Sequence, residues 1–128
     1  MMPDYKHKDL SERIIGAFYN VYNKLGYGFL ERVYENSLMI ELERIGVSAK
    51  SQWPIQVYYT GKIVGEYCAD ILAEDEVIVE IKAVKKLALE HEAQILNYLK
   101  ATQIEVGLIL NFGPKPEIVR RAFDNSRK

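Results

Sequence analysis

The stretch VIVEIKAV, residues 77–84, decides the fold and carries the first chemical signal. Alternation along a strand sends Val77, Val79, Ile81 and Ala83 to one face, and Ile78, Glu80 and Lys82 to the other. A strand this rich in Val and Ile is expected at the centre of a sheet. Glu80 and Lys82 then project side by side, about 6.5–7 Å apart at their Cα atoms. Charges inside an aliphatic run are costly unless they are paired, open to water or holding a metal. Two readings follow: a solvated face with an ordinary Glu–Lys pair, or a site that does chemistry.

Working outward, residues 63–72 read as the preceding strand and residues 73–76 as a polar turn. A hairpin centred near Asp75 puts Asp70 opposite Glu80. Strict alternation groups Asp70 with Glu66, Cys68 and Leu72, and sets Tyr67, Ala69 and Ile71 on the other face. Two carboxylates in partly dry surroundings repel, and one gains a proton unless a cation intervenes. A hard divalent ion with oxygen ligands, magnesium or manganese, resolves the conflict. The plainer alternative has Asp70 pointing to water or capping a backbone group. Beside a metal, Lys82 could orient the attacking water, help deprotonate it, or neutralise charge on a pentavalent phosphorus.

Further out, residues 55–61 alternate as another strand, with Trp53-Pro54 opening that region, and residues 87–102 return to helical spacing. Residues 106–110 form a short apolar run, read as a buried strand parallel to 77–83 after a helical crossover. A turn at 112–116 and an edge strand at 118–123 close the order. Two amphipathic helices are expected at the start, over 9–25 and about 29–45. Ser11 or Asp9 would cap the first, and Gly46 would end the second. Both need a sheet to cover their apolar stripes. The expected class is α/β in an α+β arrangement: a mixed central sheet flanked by helices, forming one domain over 1–128 with its core at about 10–123.

Helical positions add candidates. Glu31 lies in the first turn of the second helix, where a carboxylate is also favoured by the helix dipole alone. Gln94 and Tyr98 are four apart and share a helix face with His91. Gln94 could bind a phosphate, a base edge or the site's water; the alternative is an amphipathic helix with half-buried Tyr98 and His91. Lys85, Lys86 and Lys100, with Arg120 and Arg121, offer a modest basic rim. Nine tyrosines supply stacking groups for single-stranded nucleic acid, although several, including Tyr34 and Tyr58, fit plain packing equally well.

Composition bounds these readings. The chain has 128 residues, 48% hydrophobic and 27% charged, enough to bury a core. Its net charge of -1 argues against coating nucleic acid by bulk charge. The single cysteine, Cys68, excludes an intrachain disulfide and a four-cysteine zinc site. The polar start, MMPDYKHKDL, does not read as a signal peptide, and no stretch is long and apolar enough to span a bilayer. A cytoplasmic location is expected.

Together the motifs resemble a known family. GFLERVY at 28–34 is similar to the signature of the GxxExxY protein family. The likeness continues through the Asp70 segment, EIKAV from Glu80, HEAQILNYLK and GLILNFG at 107–113, over about 10–123. That family looks like a compact branch of the PD-(D/E)xK nuclease superfamily. The resemblance implies a restriction-endonuclease-like core and a Mg²⁺-dependent phosphodiesterase site, with Mn²⁺ as a substitute. It implies Asp70, Glu80 and Glu31 as metal ligands. Lys82 and Gln94 join them as catalytic residues, with Tyr98 at the substrate; apart from the resemblance, Lys85 and Lys86 of the basic rim are candidate substrate contacts. Ala69 stands where the superfamily's name has proline. The expected function is metal-dependent hydrolysis of DNA, with a homodimer or a protein partner widening the track. The alternative is a non-catalytic nucleic-acid-binding or protein-interaction module on the same scaffold.

Overall fold

The strand expected at the centre is there. In the computed structural model, which describes residues 5–128, β3 (Val77–Lys82) is the middle of five strands ordered β1-β2-β3-β4-β5. Residues 1–4, the start of the polar N-terminal stretch, lie outside the described residues. The other strands are β1 (Ala49–Tyr59), β2 (Lys62–Ala73), β4 (Val106–Phe112) and β5 (Pro116–Ala122). Pairing is antiparallel for β1–β2, β2–β3 and β4–β5, and parallel for β3–β4. The parallel step is the crossover read from sequence, made through α3 (Leu89–Lys100). Helices α1 (Lys8–Leu25) and α2 (Glu31–Arg44) precede the sheet. The result is the mixed α+β sheet architecture of a restriction-endonuclease-like core.

The two faces of β3 carry separate cores. Val77, Val79 and Ile81 pack with Ile14, Phe18, Tyr34 and Leu38 of α1 and α2. Ile78 packs with Ile95, Tyr98 and Leu99 of α3. Every β4 residue is buried, because helices cover both its faces. No helix among the described residues is long and apolar enough to cross a membrane.

Several local expectations are corrected. Neither Ser11 nor Asp9 caps α1: the helix begins at Lys8, His7 precedes it in the left-handed region at φ 54°, and Ser11 is buried in the helix body. β1 starts at Ala49, because residues 49–51 pair through their backbone without the apolar alternation that marks a strand. β4 runs on through Phe112, which was read as the start of a turn, and Phe112 pairs with Pro116.

The parity read for β2 also fails at one place. Ile71 and Ala73 pack toward α1 and α2, as does Ala49 of β1. Ala69 packs toward α3 together with Leu72, and so do Ile55 and Trp53 of β1. The faces therefore exchange between Ala69 and Ile71. Ser51 pairs with Ile71 and Trp53 with Ala69, but Gln52 and Asp70 between them are unpaired, and Gln52 has φ 54°. A left-handed residue in a strand bends it locally. The bend swings the outer part of the β1–β2 hairpin over α3.

The GFLERVY segment is held by its tyrosine. Tyr34 is fully buried and stacks on Phe112, with centroids 4.3 Å apart. Its hydroxyl donates to the Gly26 carbonyl at 2.6 Å and accepts from the Phe29 N–H at 3.1 Å, closing the α1–α2 connection. Asn111, also fully buried, fixes the β3–α3 loop: its Oδ1 accepts from Val84 N–H and its Nδ2 donates to Val84 O and Glu117 Oε1. Gly113 leaves room for that loop, since a Cβ there would lie 2.0 Å from the Val84 carbonyl oxygen.

Gly113→Ala should therefore displace the 83–88 loop and destabilise the protein by about 1–3 kcal/mol, as overpacking against fixed backbone does. Urea denaturation reads the change, and an unaltered midpoint would show that the contact yields freely.

Candidate active site

The β2–β3 ladder stops just where the candidate acids begin. Its last pair is Ile71 with Val79, so the register, continued by one step, sets Asp70 against Glu80 as the hairpin arithmetic requires. At that step side chains take over from the backbone. The Asp70 N–H donates to Glu80 Oε2 at 2.7 Å, and the Ile81 N–H donates to Asp70 Oδ2 at 2.8 Å. Each carboxylate thus accepts a backbone hydrogen bond from the opposite strand and satisfies an amide left free by the splayed ladder.

This exchange holds two acids together away from water. Glu80 is 4% exposed. Burial, with the Asp70 charge second, pushes its carboxyl up to about 8, against the Asp70 N–H and Lys82, which pull it down. Burial likewise raises Asp70, opposed by the hydrogen bond from Ile81. Lys82 is the cation that lowers both groups. Its ammonium donates to Gln94 Oε1 at 3.2 Å, and Gln94 Nε2 donates to the Tyr98 hydroxyl at 3.2 Å. A line of contacts therefore runs from Lys82 on β3 through Gln94 to Tyr98 on α3. Burial and the two carboxylates push the Tyr98 hydroxyl up to about 12, so it stays a donor at neutral pH.

Asp70, Glu80, Lys82, Gln94 and Tyr98 are thus brought to one place. Glu31 is not among them: it is the exposed first residue of α2, and its charge acts on Asp70 more weakly than any other group that raises it. Lys85 and Lys86 are exposed on the loop tethered by Asn111. His91 does other work, with its Nδ1 accepting from the Ala88 N–H at the start of α3. Arg121 pairs with Glu92, and Arg120 donates to the Lys6 carbonyl and lies over the Tyr5 ring.

Sequence reasoning missed Glu35. It is 5% exposed on α2, accepts from Ser51 Oγ at 2.8 Å, and accepts from Gln52 Nε2 at 3.0 and 3.1 Å. Its charge raises both Asp70 and Glu80. It also clasps Gln52, the left-handed residue facing Asp70 across the β1–β2 pair. The available signal was spacing: Glu35 follows Glu31 by one helical turn, on the same helix face.

The donor set suits a hard divalent cation. Two carboxylates with a third nearby, compensated by one lysine, carry an excess of negative charge that such an ion relieves. Among the described residues no three His, Cys, Asp or Glu side chains converge as a ligand cluster, so the protein's contribution centres on the Asp70–Glu80 pair.

The comparisons with known proteins bear on the family and the fold. A family model described as the PD-(D/E)XK nuclease superfamily matches residues 8–122. Among solved structures, the crystal structure of SSO0001 superposes with a TM-score of 0.61 at 14% identity, covering 93% of this chain and 60% of that one. At that identity the likeness shows the fold alone, and this chain spans 60% of that structure's length. No curated protein matches.

The pair makes stability depend on pH. Glu80 ionises near its ordinary 4.5 in the unfolded chain and near 8 in the folded one. Between those values the unfolded state binds fewer protons, so stability falls as pH rises. The contribution is fully present below the lower value and lost through the upper. In metal-free buffer Glu80→Gln, which keeps an acceptor for the Asp70 N–H but cannot ionise, should be more stable than the parent at about pH 8. That advantage should shrink towards about pH 5, by at most about 1.4 kcal/mol per pH unit. Urea denaturation across the range tests this, and parallel pH profiles for the two proteins would contradict it.

Proposed function

The chain belongs to the PD-(D/E)XK nuclease superfamily, and from that premise we propose that it is a metal-dependent nuclease hydrolysing DNA phosphodiester bonds at the Asp70–Glu80–Lys82 site. The observation that carries this reading is the exchange of backbone hydrogen bonds that clamps Asp70 and Glu80 together beside Lys82. The GFLERVY stretch supports a finer placement in the GxxExxY family.

Asp70 and Glu80 hold a Mg²⁺ ion, or Mn²⁺ in its place. When bound, such an ion polarises the phosphodiester and lowers the pKa of water. The chain's own groups do the rest. Lys82 positions the attacking water and sets a positive charge beside the phosphate. Gln94 holds the Lys82 ammonium through its carbonyl oxygen, and Tyr98 fixes the Gln94 amide. The protonated Tyr98 hydroxyl has a proton to offer a phosphate oxygen. Glu31 tunes the charge of the pair from the first turn of α2, and Glu35 keeps the strand facing Asp70 in place. Lys85 and Lys86 draw the backbone of the nucleic acid toward the site. No residue needs to form a covalent intermediate, because a water attacks phosphorus in line. DNA is the partner this chemistry calls for, a second copy or another protein would widen its track, and the cytoplasm is where the chain acts.

With Mg²⁺ or Mn²⁺ present, the parent should cut labelled DNA in a panel of single-stranded, double-stranded and branched substrates. Asp70→Ala, Glu80→Ala and Lys82→Ala should each lose at least about 100-fold in rate, the scale seen when a preorganised electrostatic group is removed. Circular dichroism shows whether each variant is folded. Metal-dependent cleavage retained by folded Asp70→Ala would overturn the assignment.

A further inference from the structure

We propose that the groove between the β1–β2 arm and α3 binds unpaired bases of a single-stranded nucleic acid, stacking them on Tyr58 and Tyr67 beside the carboxylate site. The proposal names the substrate class of that site and rests on the nuclease reading for what happens at the groove's inner end.

The groove lies where the outer part of the β1–β2 arm, beyond Gln52 and Asp70, faces α3. It has a volume of about 730 Å³ and is lined by Tyr58, Tyr67, Gln94, Asn97, Tyr98 and Lys100, among others. That volume lies in the usual range for ligand sites, about 300–1,000 Å³. Its aromatic walls are open: Tyr58 is 58% exposed and Tyr67 is 52% exposed.

Both rings are also held. The Tyr67 ring lies 5.9 Å from the Tyr98 ring and runs along its own strand over Gly65, where a Cβ would meet it at 3.2 Å. The Tyr58 hydroxyl donates to Gln56 Oε1 at 2.8 Å. Exposed rings already fixed in place lose little freedom on binding, which favours stacking.

The charge lining the groove selects bases over phosphates. Its one cationic side chain, Lys100, is balanced by Glu90 on the same helix. The amides of Gln94 and Asn97 can meet the hydrogen-bonding edges of a base. A duplex keeps its base faces stacked on one another, so only unpaired bases can enter between such walls. Gln94 and Tyr98 belong to both the groove and the Lys82 line of contacts. A base in the groove is thus a near neighbour of the phosphate at Lys82. With a net charge of -1, the chain has no bulk attraction for a polyanion, and stacking supplies affinity without one.

Fluorescence anisotropy with a labelled, mixed-sequence single-stranded deoxyoligonucleotide and its blunt duplex tests this, in chelator so that nothing is cut. Tyr58→Ala and Tyr67→Ala should each weaken single-strand binding about ten-fold, the scale of losing one base stack. Tyr58→Phe, which keeps the ring but gives up its bond to Gln56, should lose less than Tyr58→Ala, and duplex binding should be unchanged in all three. Both tyrosines are more than half exposed, so the variants should fold, and thermal melting checks this. Single-strand binding that is unmeasurable in the parent, unchanged in both alanine variants, or weakened equally with the duplex overturns the groove; the last two would leave it a surface for something else, such as a protein. If the parent cuts nothing with Mn²⁺ while the alanine variants still lose single-strand binding, the groove stands and the hydrolytic reading falls.

Discussion

Two carboxylates, Glu80 buried and Asp70 half-buried, that each complete the other strand's hydrogen bonding are the constraint around which this protein is arranged. An acid pair so placed is unfavourable on electrostatic grounds: burial raises both groups, the Asp70 charge adds to Glu80, and the Glu35 charge adds to both. Yet neither side chain can swing away without orphaning an amide, of Asp70 in one case and of Ile81 in the other. The pair is therefore locked by the same bonds that let the strands part. A fold selected only for stability would close the ladder here and send these side chains to water. The strain at this point is local, and the aliphatic faces of β3 on either side of it supply the stability that tolerates it.

Much of the remaining sequence reads as support for that point. Tyr34 stacked on Phe112 ties the α1–α2 connection to the end of β4. Asn111 and Gly113 at the same end of β4 hold and make room for the loop that leaves β3 after Lys82. Gly107 lets α3 sit close, since a Cβ there would run into Ile95 at 2.6 Å. On that helix Gln94 meets Lys82 and Tyr98 meets Gln94. The glycines and aromatics of GFLERVY and GLILNFG are thus scaffold, and the candidate site is built from side chains of β2, β3 and α3.

This division explains what could be read from the chain and what could not. The faces of β3, the parallel crossover and the register of the β2–β3 hairpin followed from alternation and loop length, because each is enforced by burial on both sides of a central strand. The bend at Gln52 and Asp70 did not follow. A left-handed glutamine has no propensity signal, and its side chain's partner, Glu35, is remote in sequence. The same gap hid Glu35 itself, which looks like any acid on an amphipathic helix until the strand it clasps is known. Glu31 drew attention because it belongs to a recognisable motif, but exposure at the first turn of α2 leaves it at the margin of the cluster. Ser11 and Asp9 failed as caps for a simpler reason. The chain enters α1 through His7 before either is reached.

The bend links the site to the way a small, nearly neutral chain could engage a polyanion. Without a cation, the Asp70–Glu80 pair and the nearby Glu35 are compensated by Lys82 alone, so affinity for a single strand has to come from stacking. On the proposed reading, ion and nucleic acid bind with positive coupling, each relieving a charge the other leaves unbalanced. Asp70 stands at both irregularities: it exchanges hydrogen bonds with β3 and is the unpaired residue opposite Gln52 on β1. One residue thereby links the carboxylate site and the aromatic groove beside it. A straight hairpin could have neither: closing the pair would restore the ladder, and restoring the alternation would turn Tyr67 and Ala69 away from α3.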